Sequence, residues 1–209
     1  MAKILCKDEL DQAQLHSIEP LNACRLIPLN KNPGVRPIGI GEVLRRIIGK
    51  AVMKVFKDDV QTAAGPSQLC AGQQAGCEAA IHSVVDNFNE DIDCEGVLQI
   101  DASNAFNSLN RKIFMHNIKI ICPYLSTYVN NTYAKPARLF ILGGKELLSE
   151  EGTTQGDPIA MAVYALGILP LLTTLKLAVQ NKNNNLLQVS FADDISGSGK
   201  LEVLKLWWE

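Results

Sequence analysis

Asp193 and Asp194 stand side by side in a short connection between two apolar stretches, residues 186–191 and 195–197. Adjacent carboxylates repel each other, and no Lys or Arg lies close by in sequence to offset them. A divalent cation relieves that repulsion. Asp101 ends a third apolar stretch, Val97-Leu98-Gln99-Ile100, and supplies another carboxylate. Three carboxylates from adjacent strands form a hard-oxygen site suited to Mg²⁺, with Mn²⁺ as a substitute. Two such ions can activate an attacking hydroxyl and stabilise a leaving pyrophosphate. Taken alone, an Asp-Asp turn is more often a plain polar loop than a metal site.

These side chains need a framework. Residues 24–29 and 35–40 read as strands joined through Asn30-Lys31-Asn32-Pro33-Gly34, a strong turn signal. Residues 42–56 repeat apolar side chains at three and four, which predicts a helix that buries Val43, Leu44, Ile47, Ile48, Ala51, Val52, Val55 and Phe56. Arg45, Arg46, Lys50, Lys54 and Lys57 fall on its other faces. Residues 76–88 predict a second amphipathic helix, 97–100 a strand, and 105–121 mostly helix ending before Pro123. Residues 137–142 and 145–148 predict a hairpin turned by the pair Gly143-Gly144. Residues 159–179 are apolar almost all round and predict a buried helix bent or interrupted at Pro170. The run 181–185 reads as a polar loop. Strands and helices mix without strict alternation, so an α+β fold with an antiparallel sheet backed by helices is expected.

Composition is that of a folded protein, 47% apolar and 20% charged over 209 residues. Net charge is −2, yet the charge is segregated: residues 25–57 carry +7, residues 58–104 carry −9 and residues 105–145 carry +6. Basic blocks flanking an acidic one suit a protein that holds phosphates in one place and cations in another, although solvated faces produce the same pattern. Six cysteines show neither Cys-x-x-Cys pairs nor histidines at zinc spacing, so neither zinc nor disulfides are expected and most should be buried. The N-terminus has no apolar core of signal-peptide length. The longest apolar run, 159–172, contains Pro170 and is shorter than the ~18 residues of a membrane span. No membrane association and an intracellular location, cytoplasm or nucleus, are expected.

Four segments taken together resemble the reverse transcriptases, in particular those of retroelements and group II introns. Val97-Leu98-Gln99-Ile100-Asp101-Ala102-Ser103-Asn104-Ala105-Phe106 is similar to the first catalytic motif of that family. Glu151-Gly152-Thr153-Thr154-Gln155-Gly156-Asp157-Pro158 is similar to its Gln-Gly motif, and Phe191-Ala192-Asp193-Asp194 to its aromatic-x-Asp-Asp box. Arg36-Pro37-Ile38, after the Pro-Gly turn, is similar to the fingers motif. All four stand in the family's order. Two departures are visible: Phe191 stands where many relatives have Tyr, and Asp157-Pro158-Ile159-Ala160 follows the Gln-Gly pair where relatives often have Ser-Pro.

The resemblance implies roles. Asp101, Asp193 and Asp194 would be catalytic and would hold two Mg²⁺ ions, with the backbone carbonyl of Ala102 as a further ligand. Ala102, Phe106, Gln155 and Gly156 would line the nucleotide pocket, with Phe106 excluding a 2′-hydroxyl, and Lys31 and Arg36 would meet the triphosphate. Arg25 is a further candidate for phosphate. On residue chemistry alone, Phe106 is equally well a core aromatic and Lys31 a surface turn lysine. The implied architecture is a right-hand polymerase, with residues 1–90 as fingers region and start of palm and 91–209 as palm, the helical thumb missing. The implied partners are an RNA template, a DNA or RNA primer and deoxynucleoside triphosphates. Two readings stand open: an RNA-directed DNA polymerase core, or a truncated or co-opted RNA-binding copy without catalysis. An RNA-directed RNA polymerase is disfavoured by Phe106, since ribonucleotide use calls for a polar group there.

Overall fold

The computed structural model describes residues 1–180 and 186–209, so the predicted polar loop at 181–185 lies outside the described residues. Three short helices open the chain: α1 (Ala2–Lys7), α2 (Gln12–Ser17) and α3 (Glu19–Asn22). Asp11 and Gln14 start α2 with a reciprocal capping box. The predicted hairpin follows as β1 (Cys24–Asn30) and β2 (Val35–Gly41), antiparallel in full register. Its tip, Lys31 to Arg36, is exposed to solvent.

α4 (Val43–Ala64) runs a further two turns past its predicted end and buries a different face. Ile48 and Val52 are core residues, whereas Val43, Leu44, Ile47 and Val55 are exposed. Arg45, expected on an outer basic face, is 5% exposed. A 3₁₀ turn (Gly65–Ser67) leads to α5 (Gly76–Glu90) and to β3 (Gly96–Asp101). The single helix predicted over 105–121 is two, α6 (Ala105–Ser108) and α7 (Arg111–Ile121). The break occurs where the carbonyls of Phe106 and Leu109 accept Thr153 and Gly152 N–H groups at 2.6 and 2.8 Å, and Asn110 caps α7 through Ile113 N.

α8 (Pro123–Tyr133) went unrecognised because Asn130, Asn131 and Thr132 mask its apolar period, yet Leu125, Tyr128, Val129 and Tyr133 are buried. Asn131 earns its place by bonding Leu5 O, Asp8 O and Leu10 N. β4 (Ala137–Ile141) and β5 (Lys145–Ser149) pair antiparallel. Ile141 pairs with Lys145, so the loop holds three residues, not two, with Gly143 and Gly144 both at positive φ. α9 (Ala160–Gln180) continues through Pro170, whose ring lies exposed on the outer side of the helix. Its Ala160–Val179 stretch, mean hydropathy 1.8, is therefore long and apolar enough to cross a membrane, correcting the shorter run read to Leu172. In this fold α4, α7, α10 (Leu201–Trp208) and β6 (Leu186–Phe191) pack against it.

The strands form two sheets. One has the order β2-β1-β4-β5, with β1 and β4 parallel; the other has the order β3-β7-β6, all antiparallel, with β7 (Asp194–Gly199) central. A large core of Phe114, Ile118, Leu125, Tyr128, Ile159, Val163 and Leu166 joins α1, α4, α7, α8 and α9. Each such side chain contributes about 1.5–3 kcal/mol when fully buried. A second core, Tyr164, Ile168, Leu172, Ile195, Val203 and Trp207, backs the three-stranded sheet. Trp207 donates to Gln188 at 2.8 Å and lies so close to Gly197 that a Cβ there would stand 2.9 Å from its ring. The six cysteines are free thiols, of which only Cys24 and Cys122 are buried and Cys77 is exposed, fewer buried than expected.

Candidate active site

β3 and β7 set two of the carboxylates. Asp101 closes β3 and Asp194 opens β7, and the pair sit directly opposite in the ladder, so both rise from one face. Asp193 belongs to the two-residue turn between β6 and β7, since Phe191 pairs with Asp194. Ala192, the first turn residue, takes a left-handed φ of 56°, as tight primed hairpin turns require. Burial first, then the charges of Asp193 and Asp101, hold the Asp194 carboxyl above the usual carboxylate range. Among the described residues no Lys, Arg or His forms an ion pair with any of the three.

Phe106 sits one turn into the segment after β3 and stacks on buried Tyr164, ring centroids 4.5 Å apart at 25°. Burial, reinforced by the charge of Asp193, pushes the Tyr164 hydroxyl up to about 12. The backbone of Phe106 is gripped from the loop after β5: besides the Thr153 bond, Gly152 passes so close that a Cβ would fall 2.3 Å from Phe106 O. Arg111, 5% exposed, holds that loop by donating to Ser149 O and Gly152 O, both at 3.0 Å, and to Lys135 O at 3.3 Å.

Gln155 and Gly156 dock on the hairpin. Gly39 N donates to Gln155 O at 2.8 Å, and Gly156, at φ 110°, approaches so closely that a Cβ would be 2.4 Å from Gly39 O. Behind them Asp157 is anchored in the interior. Its Oδ2 accepts Arg45 Nη2 at 2.5 Å and the Tyr133 hydroxyl at 2.8 Å, and Arg45 also donates to Asn22 Oδ1. The side chains of Arg45 and Asp157 are 6% and 3% exposed.

The sequence-predicted residues meet in one place. Lys31, Arg36, Asp101, Ala102, Gln155, Asp193 and Asp194 line a polar cleft of about 610 Å³ between the hairpin and the β3-β7 edge. Phe106 and Gly156 line an adjoining recess of about 350 Å³, together with Arg36, Gln155 and Asp193. Arg25, farther down β1, lines neither. Acids sit at one wall and cations on the exposed hairpin tip at the other, which suits a substrate carrying phosphates. The donor chemistry fits Mg²⁺: hard carboxylate oxygens, mutually repelling, facing solvent in a cleft. Among the described residues no three acid, His or Cys side chains, Asp101, Asp193 and Asp194 included, stand close enough together to hold a metal ion. Sequence reasoning missed Gln68, Arg45, Arg111, Tyr133 and Tyr164, which touch the site's loops from behind; none carries a local signal that distinguishes it from ordinary helix or loop residues.

The architecture is similar to that of solved telomerases. The chain superposes on apo telomerase of Candida tropicalis truncated from its C-terminal domain with a TM-score of 0.63 at 11% identity, covering 89% of this chain and 45% of that one. For Candida albicans telomerase in complex with a TWJ fragment of telomeric RNA the values are 0.61, 9%, 95% and 41%. For the corresponding Candida tropicalis complex they are 0.59, 11%, 88% and 37%. At these identities the likeness shows the fold alone, and the chain spans under half the length of those neighbours. No curated protein matches the sequence. The family pattern of the reverse transcriptases (RNA-dependent DNA polymerases) matches residues 28–200, and the chain belongs to that family.

Proposed function

We propose that the chain is the fingers-and-palm core of an RNA-directed DNA polymerase, which extends a primer 3′-hydroxyl with deoxynucleotides along an RNA template. The observation that carries this reading is the single cleft that gathers Asp101, Asp193 and Asp194 opposite Lys31 and Arg36. Asp101, Asp193, Asp194 and the Ala102 carbonyl would hold two Mg²⁺ ions, which when bound supply charge neutralisation and an activated hydroxyl. Arg36 and Lys31 bind the triphosphate, the first able to make bidentate contacts and the second as a point charge. Gln155 and Gly156 offer a wall where backbone approaches closely. Phe106, held from below by Tyr164, excludes a 2′-hydroxyl by its bulk. Phosphoryl transfer of this kind relies on positioning and on charge, so no covalent intermediate with a side chain is required. The RNA bound in two of the similar structures supports an RNA partner for this chain.

Primer extension on an RNA template, with Mg²⁺ or Mn²⁺ and an Asp193→Asn control, tests the proposal. Incorporation that vanishes in the control supports it. An RNA mobility shift that survives replacement of all three aspartates, with no incorporation by the native chain, rejects catalysis in favour of an RNA-binding copy.

A further inference from the structure

Ala192 holds a backbone conformation that L residues avoid, at a cost of roughly 1–2 kcal/mol. It is also 4% exposed, so both its polar backbone groups need partners inside the protein. One side chain supplies both. The Gln68 amide accepts from Ala192 N at 2.8 Å through Oε1 and donates to Ala192 O at 3.0 Å through Nε2. Gln68 is fully buried, 124 residues away in sequence, on the segment that follows α4. The same segment is tied to β6 next to the turn, since Leu69 N donates to Ser190 O at 2.9 Å.

The consequence falls on Asp193. The Ala192 carbonyl belongs to the peptide plane that leads into Asp193, and the Ala192 N–H belongs to the plane before it. Fixing both planes sets Ala192 φ and ψ and with them the Asp193 N–Cα bond, while the pairing of Asp194 with Phe191 holds the plane that follows. Together they set the direction in which the Asp193 Cα–Cβ bond leaves the turn. A primary amide is suited to this, because it offers one donor and one acceptor side by side.

We infer that Gln68 is the positioning residue for Asp193: it holds Ala192 left-handed and so aims the carboxylate into the cleft. This rests on the reading of Asp193 as a metal ligand. Partners that orient metal ligands commonly change affinity by about 10–100-fold when removed.

The test uses the whole chain with Mn²⁺ alone as probe, measured by electron paramagnetic resonance, beside amide hydrogen exchange. Gln68→Met keeps the length and removes both bonds. It should weaken Mn²⁺ binding by about tenfold and speed exchange at Ala192 and Asp193, with α7 and α8 amides still protected. Ala192→Gly added to Gln68→Met should restore part of the Mn²⁺ affinity, because glycine takes positive φ without strain. Asn131→Ala, which removes a buried amide far from the cleft, should lower the melting temperature and leave Mn²⁺ binding unchanged. The inference is overturned if Gln68→Met binds Mn²⁺ as the native chain does, if Asn131→Ala weakens binding equally, or if glycine at 192 restores nothing. Absence of Mn²⁺ binding by the native chain would overturn the metal reading itself, and exchange at Ala192 then decides alone whether Gln68 holds the turn.

Discussion

Replacing Arg45 by Met strands the Asp157 carboxylate where its side chain is 3% exposed. Removing one partner of a buried ion pair costs about 3–5 kcal/mol, because the remaining charge has lost its counter-ion and cannot reach water. Tyr133 and Ile159 N still donate to Asp157, at 2.8 and 3.2 Å, so the lower half of that range is expected. A domain holds only about 5–15 kcal/mol in total, so the variant should fold but melt early. With a urea slope of about 3 kcal/mol per molar, the midpoint should fall by roughly 1 M. Asp157→Asn should cost a similar amount by leaving Arg45 buried without its carboxylate. The double variant Arg45→Met with Asp157→Asn should lose clearly less than the two single losses combined, since no unpaired charge remains. Urea unfolding followed by circular dichroism reads all three. A single-variant shift under about 0.3 M, or a double variant that loses the full combined amount, would falsify the claim that this pair anchors the Gln155-Gly156 loop through burial.

Gly156→Ala forces a Cβ at φ 110° to within 2.4 Å of Gly39 O, so the loop should part from the hairpin and exchange of the Gly39 amide should accelerate. Unchanged protection of that amide would contradict the close approach. The Asp194 carboxyl is raised in the folded chain, so its protonated form favours folding below the unfolded value, and that advantage is lost as pH rises through the raised one. Asp194→Asn should therefore stabilise the metal-free chain at pH 7 by less than about 1 kcal/mol, the range for like charges facing across strands. The gain should disappear in acid, and thermal melts at the two pH values decide. Tyr164→Leu removes the ring beneath Phe106, an aromatic contact worth about 0.5–1.5 kcal/mol, so preference for deoxy- over ribonucleotides should drop about two- to tenfold. Unaltered sugar selection would disconnect Tyr164 from Phe106. Cys77, exposed, should be alkylated first by iodoacetamide, whereas Cys70, pushed up to about 11 chiefly by burial, should react last among the partly exposed thiols; peptide mass mapping of a time course checks the order.

Much of the site was legible in sequence because its chemistry is local. The turn residues Pro33-Gly34 specify the hairpin that carries Lys31 and Arg36. A short apolar run ending in Asp101 specifies the strand that delivers that carboxylate, whereas β7, with Ile195 its one aliphatic side chain, takes its place by pairing with β3 and β6. Nine of the ten residues singled out for the site line one cleft or the recess beside it, and only Arg25 lies outside both. Glycine at 156 was readable as a close approach, although not what it approaches. Periodicity placed α4, α5 and β3 but assigned the wrong face to much of α4, since it counts apolar residues without knowing where neighbours lie. Arg45 is interior because a buried Asp157, supplied 112 residues later, stands opposite it. Likewise nothing near Gln68 announces that it will meet Ala192, and nothing near Pro170 says that α9 will run on through it. Local backbone preferences and side-chain types are set residue by residue, so sequence determines them. A buried polar group is tolerated only when a distant partner arrives, so which polar residues lie inside, and what they hold in place, was decided by the tertiary structure.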